Sequence, residues 1–270
     1  SARNESGKTA FHLACERGHS DLVKILMENK SILSLDLNAK TKSGNTAFHW
    51  ACIKGHTDVI DIFMENAVAL GIHLNAKTKN GKTAYHLACQ KGHSDVVKIL
   101  TENASILSLD LNAKTKNGNT AFYLACQVGH SDVVKIFMQM FADFSIDFSA
   151  VDNNGYSAFH WVAIAIKAHL DVVKIFIENA AALGIDLNTK DNNGYTAFYL
   201  TCIKDYLKII RILIGNAAVL SIDINTMDDD GMTAFHLACQ RGNSDVVKIF
   251  MQNAADLSID LNAIDDNGLT

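Results

Sequence analysis

A histidine and a cysteine three residues apart, His12 and Cys15, are the first residues of this chain that could do chemistry together. An imidazole and a thiolate at such spacing could share a zinc ion or act as base and nucleophile. The pair sits in the phrase Thr-Ala-Phe-His-Leu-Ala-Cys, Thr9 to Cys15, which returns with substitutions from Thr46, Thr83, Thr120, Ser157, Thr196 and Thr233. Reading the copies against one another removes the chemistry. The histidine place holds His12, His49, His86, His160 and His236 but also Tyr123 and Tyr199, and tyrosine does not replace a zinc-binding imidazole. The cysteine place holds Cys15, Cys52, Cys89, Cys126, Cys202 and Cys239. Equivalent places in a stacked array lie one layer apart, roughly 10 Å for packed helices, beyond the reach of about 7 Å for a bridged pair. The cysteines therefore read as small buried hydrophobes, and reduced thiols fit a cytoplasmic setting.

No Cys-x-x-Cys, no His-Glu-x-x-His and no phosphate-cradling glycine loop occurs. Asp223 and Asn225 begin like a calcium loop, but Met227 and Asp228 occupy the next ligand place and the glycine place. The reading is non-enzymatic, with no catalytic residue, metal or cofactor assigned.

The copies are spaced 37, 37, 37, 37, 39 and 37 residues apart, and a fixed period of this size marks a stacked array. Counted from the Asn that opens Asn-Ala-Lys-Thr-Lys, the repeats run 1–37, 38–74, 75–111, 112–148, 149–187, 188–224 and 225–261, with 262–270 opening an eighth. One elongated domain over 1–270 is expected rather than the two globular domains that 270 residues would suggest. A chain that starts at a repeat boundary without Met and ends inside a repeat reads as an excerpt of a longer array, so a monomer is expected, with end-to-end association possible through an uncapped face. A net charge of −5 gives no general attraction to nucleic acid or membrane. No apolar run approaches the roughly 18 residues of a spanning helix.

Each repeat opens with a turn such as Asn80-Gly81, the residue choice for positive φ. Thr then offers an N-cap oxygen, and Ala-Phe-His-Leu-Ala-Cys continues as a short helix with Phe, Leu and Ala inward. A Gly-His-Ser-Asp break follows, with Ser94 expected as a cap and Asp95 in the first turn of the next helix. Val96, Val97, Ile99 and Leu100 give that helix its apolar stripe.

Turn, short helix, Gly-His break, Val-Val-Lys helix and Asp-Leu-Asn-Ala-Lys together resemble the ankyrin repeat family over the whole chain. The resemblance implies an all-α solenoid of helix-turn-helix repeats joined by β-hairpin-like turns. It also implies hydrogen-bonding roles for both histidine sets, and protein-partner binding along the turn tips and first helices of the concave face. Two departures stand out. Ala10 and its equivalents replace the family's Pro, and the period exceeds the family's 33 or so. Gly71 and Gly184 stand where the family ends its second helix, so the four surplus residues, close to one turn of 3.6, predict a second helix one turn longer. Ser34, Ser108, Ser145, Ser221 and Ser258 hold that place elsewhere and should end the helix less cheaply.

If all tips project from one edge, as the resemblance implies, that edge is basic at one end through Lys40, Lys42, Lys77, Lys79, Lys82, Lys114 and Lys116. At the other it is acidic through Asp228, Asp229 and Asp230, with Tyr156, Tyr195 and Met232 at the tips. Two readings stand: a drifted, solvated face, or a bipolar docking strip with aromatic anchors. An RNA partner at the Lys-bearing tips is the weaker alternative to a protein. The family also implies asparaginyl hydroxylation at Asn38, Asn75, Asn112, Asn188, Asn225 or Asn262, or a turn-bracing role for the same residues. The junction of repeats four and five, 139–170, departs furthest from the pattern and reads either as paired repacking or as a binding or bending point. A partnerless spacer or spring is the alternative to a binding module.

Overall fold

The computed structural model describes residues 2–140, 144–165, 169–266 and 268. Fifteen helices run among them: α1 Ala10–Arg17, α2 Ser20–Glu28, α3 Ala47–Lys54, α4 Thr57–Leu70, α5 Ala84–Lys91, α6 Ser94–Glu102, α7 Ala121–Val128 and α8 Ser131–Gln139, then α9 Ala158–Ile164, α10 Leu170–Leu183, α11 Ala197–Ile203, α12 Leu207–Gly215, α13 Ala217–Leu220, α14 Ala234–Gln240 and α15 Ser244–Asn253. The chain falls into two compact units, Ser1–Ala125 with Asp132–Asp147 and Cys126–Ser131 with Phe148–Thr270. In the first, α1 packs on α3 and α3 on α5, while α2 packs on α4 and α4 on α6. In the second, α9 packs on α11 and α11 on α14, with α12 on α15.

The first helices start where the threonines are. Thr9, Thr46, Thr83, Ser157 and Thr233 are N-caps in extended backbone, each accepting from the amide three residues on. That third residue is the phrase's histidine, whose Nδ1 takes the cap's own N–H, as in Thr46 N to His49 Nδ1 at 3.1 Å. The imidazole thus fills the reciprocal place of a capping box, usually held by Glu or Gln. Its Nε2 donates to a carbonyl of the following repeat: His12 to Asn45, His49 to Lys82 and His86 to Asn119, at 3.3, 3.3 and 3.2 Å. One side chain therefore closes a helix and ties two layers.

The Gly-His break ties the layers in the opposite direction. His56 and His93 donate through Nε2 to the Glu16 and Ile53 carbonyls of the preceding repeat. In the seventh repeat Asn243 replaces this histidine, and the Arg241 guanidinium takes the equivalent Ile203 carbonyl at 2.6 Å. Ser94 is not a cap. Gly92 turns left-handed, the chain re-enters helix at once, and uncapped His93 is the N-cap, although Asp95 does lie in the first turn.

Among the described residues the longer second helix forms without a break only in α4 and α10, 14 residues each, which end at Gly71 and Gly184. In repeats one and three the regular helix stops earlier, yet the chain still traces the surplus turn. Leu35 N to Lys30 O and Leu109 N to Ala104 O close it at 2.8 and 2.9 Å, as Ile72 N to Ala67 O does in the unbroken case. The difference lies in composition and in the end residue. Ala67-Val68-Ala69 and Ala180-Ala181-Ala182 favour helix where Lys30-Ser31-Ile32 and Ala104-Ser105-Ile106 do not. Ser34, Ser108, Ser145, Ser221 and Ser258 are forced to φ of 45, 50, 48, 52 and 50°, a region costly for any residue with a Cβ. Ser108→Gly is therefore expected to stabilise the chain by about 0.5–1 kcal/mol. Gly71→Ser should cost a similar amount, because a Cβ at Gly71 would meet no atom within 4 Å and only the backbone term remains. Thermal midpoints of the two variants check this; shifts of the same sign would refute it.

Between the apolar faces lies a row of rings. Phe63 on α4 stands 6.0 Å from Phe11 and 5.0 Å from Phe48 of two successive first helices, and Phe137 stands likewise between Tyr85 and Phe122. In the second unit Phe250 sits between Phe198 and Phe235. Cys15, Cys52, Cys89, Cys126 and Cys202 fill the small buried places beside this row. Cys239 departs from the expectation and is exposed, since among the described residues no first helix follows α14 to cover it.

Candidate interaction surface

The turns before the first helices are hairpin-like. Thr41 N to Asn45 O, Thr78 N to Lys82 O and Thr115 N to Asn119 O close three of them at 2.9–3.0 Å. Isolated bridges join Val151 to Ser157 and Met227 to Thr233. Within the first unit successive turns bond to one another, Lys42 N to Ser6 O, Lys79 N to Ser43 O and Lys116 N to Asn80 O, so their tips form one ladder. In the second, Asn192 N to Asn154 O continues the pattern across the 39-residue step. The two surplus residues of repeat five leave this tie intact.

The structure brings the expected lysines to the first ladder. Lys40, Lys42, Lys77, Lys79, Lys114 and Lys116 are exposed and Lys82 is half-buried. Lys40 Nζ donates to the Lys77 carbonyl at 2.9 Å, and Lys82 Nζ to Gln90 Oε1 at 2.8 Å. Sequence reasoning missed a site beside them. Lys8 Nζ lies 3.6 Å from the Trp50 ring centre and pairs with Glu16 at 2.6 Å. The signal was the place itself, which holds Leu13, Leu87 and Leu124 in other repeats and Trp50 and Trp161 in two.

On the second unit the tips fold back instead of projecting. Tyr156 is half-exposed and lies edge-on to Trp161 at 5.7 Å, while Tyr195 stacks on Tyr199 at 4.9 Å and 6°. Met232 is half-buried. Asp228 is held from both sides, its Oδ1 accepting from the Asp230 and Met232 amides and its Oδ2 from the Tyr199 hydroxyl at 2.7 Å. Burial first, then this carboxylate, pushes the Tyr199 hydroxyl well above its ordinary pKa. Asp229 and Asp230 remain exposed. Asp191, equivalent to Asp228, is buried; its Oδ1 accepts from the Asn193 and Tyr195 amides, but its Oδ2 has no hydrogen-bond partner. The Tyr156 hydroxyl faces this carboxylate: burial first, then the charge of Asp191 and side-chain hydrogen bonding to it, raises the tyrosine pKa, although the pair falls short of full hydrogen-bond geometry.

A family model described as Ankyrin repeats (3 copies) matches residues 1–78, 30–110, 67–147, 103–191, 136–228 and 180–265. The chain belongs to the ankyrin repeat family. Its fold is similar to the crystal structure of the ankyrin repeat domain of Bcl-3, described as a unique member of the IkappaB protein family. That likeness has a TM-score of 0.71 at 21% identity and covers 90% of this chain and 100% of that one. No curated protein sequence matches the chain.

In this ankyrin array the asparagine that opens five of the seven repeats is a two-ended brace; repeat five opens on Ser149 instead. Asn38 Nδ2 donates to the Gly71 carbonyl and its Oδ1 accepts from His73 N, both at 2.8 Å. Asn75, Asn112, Asn188 and Asn225 make the same pair to Ser108 and Asp110, Ser145 and Asp147, Ser221 and Asp223, and Ser258 and Asp260. Asn262 donates its backbone amide to Asp260 Oδ1. An enzyme modifying any of the five braced residues would first have to open both bonds. Among the described residues no group of His, Cys, Asp and Glu could hold a metal ion, and no helix is long and apolar enough to cross a membrane. Burial pushes the Cys15, Cys52, Cys126 and Cys202 thiols far up, away from nucleophilic thiolate. Leu269, and residues 141–143 and 166–168 of the irregular junction, lie outside the described residues.

Proposed function

We propose that this ankyrin chain is a non-catalytic interaction module that holds a protein partner along its turn tips and first helices, in a reducing compartment such as the cytoplasm. The observation that carries the reading is a division of labour within each repeat. The phrase histidines, the Gly-His histidines and the opening asparagines are committed to ties between layers. Variation is left to the tips, where exposed Lys42, Lys77, Lys79 and Lys114 in one unit and Tyr156, Tyr195 and Met232 in the other offer chemistry without a structural duty of that kind. Cysteines that pack singly, without bridges, fit the compartment.

The test is capture of partners by crosslinking and mass spectrometry, comparing the parent chain with a Tyr156→Ser, Tyr195→Ser, Met232→Ser variant. Capture should fall about tenfold or more while the thermal midpoint holds, as expected for loss of aromatic anchors. Undiminished capture with the fold intact would reject this surface. The spacer reading has one observation of its own, the near-identity of the ties from layer to layer. Deletion of whole repeats that lowered stability smoothly and changed no binding assay would favour it.

A further inference from the structure

We infer that the aromatic, acidic edge of the second unit, formed by Tyr156, Tyr195, Asp191, Asp228, Asp229 and Asp230, binds a cationic partner: an extended peptide segment bearing arginine or lysine. This rests on the interaction reading above and names the chemistry of its partner. The carrying observation is a missing donor. At repeat six the phrase place holds Tyr199, whose hydroxyl satisfies Asp228 Oδ2 in the next turn. At repeat five the same place holds His160, which instead donates its Nε2 to the Tyr195 carbonyl at 3.0 Å. Asp191 Oδ2, the counterpart of Asp228 Oδ2, is therefore left without a hydrogen bond in a residue only 6% exposed. A buried carboxylate oxygen lacking a donor is a costly arrangement that an incoming ammonium or guanidinium would relieve. Tyr156 is the half-exposed side chain whose hydroxyl faces this carboxylate.

The surroundings fit a cation and are not already neutralised by one. Among the described residues Asp191, Asp228, Asp229 and Asp230 form no salt bridge. Lys190 Nζ is held by the Met227 carbonyl at 2.7 Å and Arg241 by the Ile203 carbonyl. The half-exposed rings of Tyr156 and Tyr195 add aromatic surface of the kind that attracts cations. The first unit shows such a combination filled from within, where the Lys8 ammonium sits between the Trp50 ring and the Glu16 carboxylate. On the second unit the tip residues are Tyr156, Tyr195 and Met232, so the chain supplies no ammonium of its own at these places.

The test uses fluorescently labelled, end-blocked peptides of alternating Arg and Gly, with Glu and Gly as control, titrated against the whole chain by anisotropy. The Arg peptide should bind, and binding should weaken steeply between about 50 and about 500 mM salt. Tyr156→Ser should weaken it about tenfold, and so should Asp229→Asn with Asp230→Asn, whose exposed side chains can change without unfolding the repeat. Lys42→Ser with Lys79→Ser should leave it as tight or tighter. Equal binding by the parent and by the Asp229→Asn, Asp230→Asn variant, preference for the Glu peptide, or no binding at all would overturn the inference. If the chain still captured a protein through Tyr156 and Tyr195 but ignored the Arg peptide, the module would stand and its cationic partner would fall.

Discussion

Phe63→Ala is expected to cost about 3–5 kcal/mol. The side chain is fully buried, and its ring fills the space between Phe11 and Phe48, at 6.0 and 5.0 Å. Truncation therefore opens a hole shared by two layers, not one. Neither layer can collapse into it, because the His12 and His49 ties fix the spacing on one side and the Asn38 brace fixes it on the other. Phe63→Leu should cost far less, about 1 kcal/mol, since Leu100 and Leu213 fill the equivalent place in other repeats and are fully buried there. Urea unfolding gives the totals. Native-state hydrogen exchange should place the loss in repeats one to three, because a stacked array transmits energy only to its neighbours. A loss below about 1 kcal/mol for Phe63→Ala would contradict the wedge.

The second large effect is acid sensitivity from the phrase histidines. His49 and His86 are held down to about 4 by burial, and His12 and His160 are lowered by the same cause. In the fold Nδ1 accepts the cap amide while Nε2 donates to the next repeat, so a second ring proton would set donor against donor. The unfolded chain binds that proton near pH 6.5. Between about 6.5 and 4 the unfolded state thus carries more protons, and stability falls as the pH is lowered through this window and is fully present above it. At about pH 5, His49 and His86 should each contribute a loss of about 2 kcal/mol. Urea midpoints at about pH 7.5 and about pH 5 measure the drop. A His49→Tyr, His86→Tyr variant, which copies the natural choice at Tyr123 and Tyr199, should flatten the dependence. An unchanged slope in that variant would place the acid sensitivity elsewhere.

Residue spacing made the repeat, its caps and its buried face legible because each follows from local chemistry copied seven times. Thr9 must cap something, and Phe11 must face inward. Less legible were features set by the neighbouring layer. Ser108 ends its turn in the left-handed region because the chain must still reach its brace from Asn75, and composition then decides whether the surplus turn continues as regular helix. The tip aromatics were expected to project, yet Tyr195, just before the cap of α11, lies flat on Tyr199 in the first turn of that helix. The Lys8, Glu16 and Trp50 cluster joins two repeats and was invisible to any reading of one repeat alone. The unsatisfied Asp191 oxygen is of the same kind, since only the alignment of His160 with Tyr199 reveals what is missing.

The layer ties have a genetic consequence. The phrase histidines reach 33 residues forward, the opening asparagines 33 and 35 forward, and the Gly-His histidines 40 residues back. Each histidine tie thus ends at a fixed offset in an adjacent copy, and each asparagine brace at a fixed offset near the end of its own. An in-frame duplication or loss of one 37-residue block, wherever its breakpoints fall, recreates each tie at the new seam, whereas a gain or loss of a few residues beside a tie does not. Such a gene can change length in single steps and still encode a closed set of bonds. Repeat five shows what this leaves open: its two added residues are accepted while the His160 and Asn192 ties on either side remain closed.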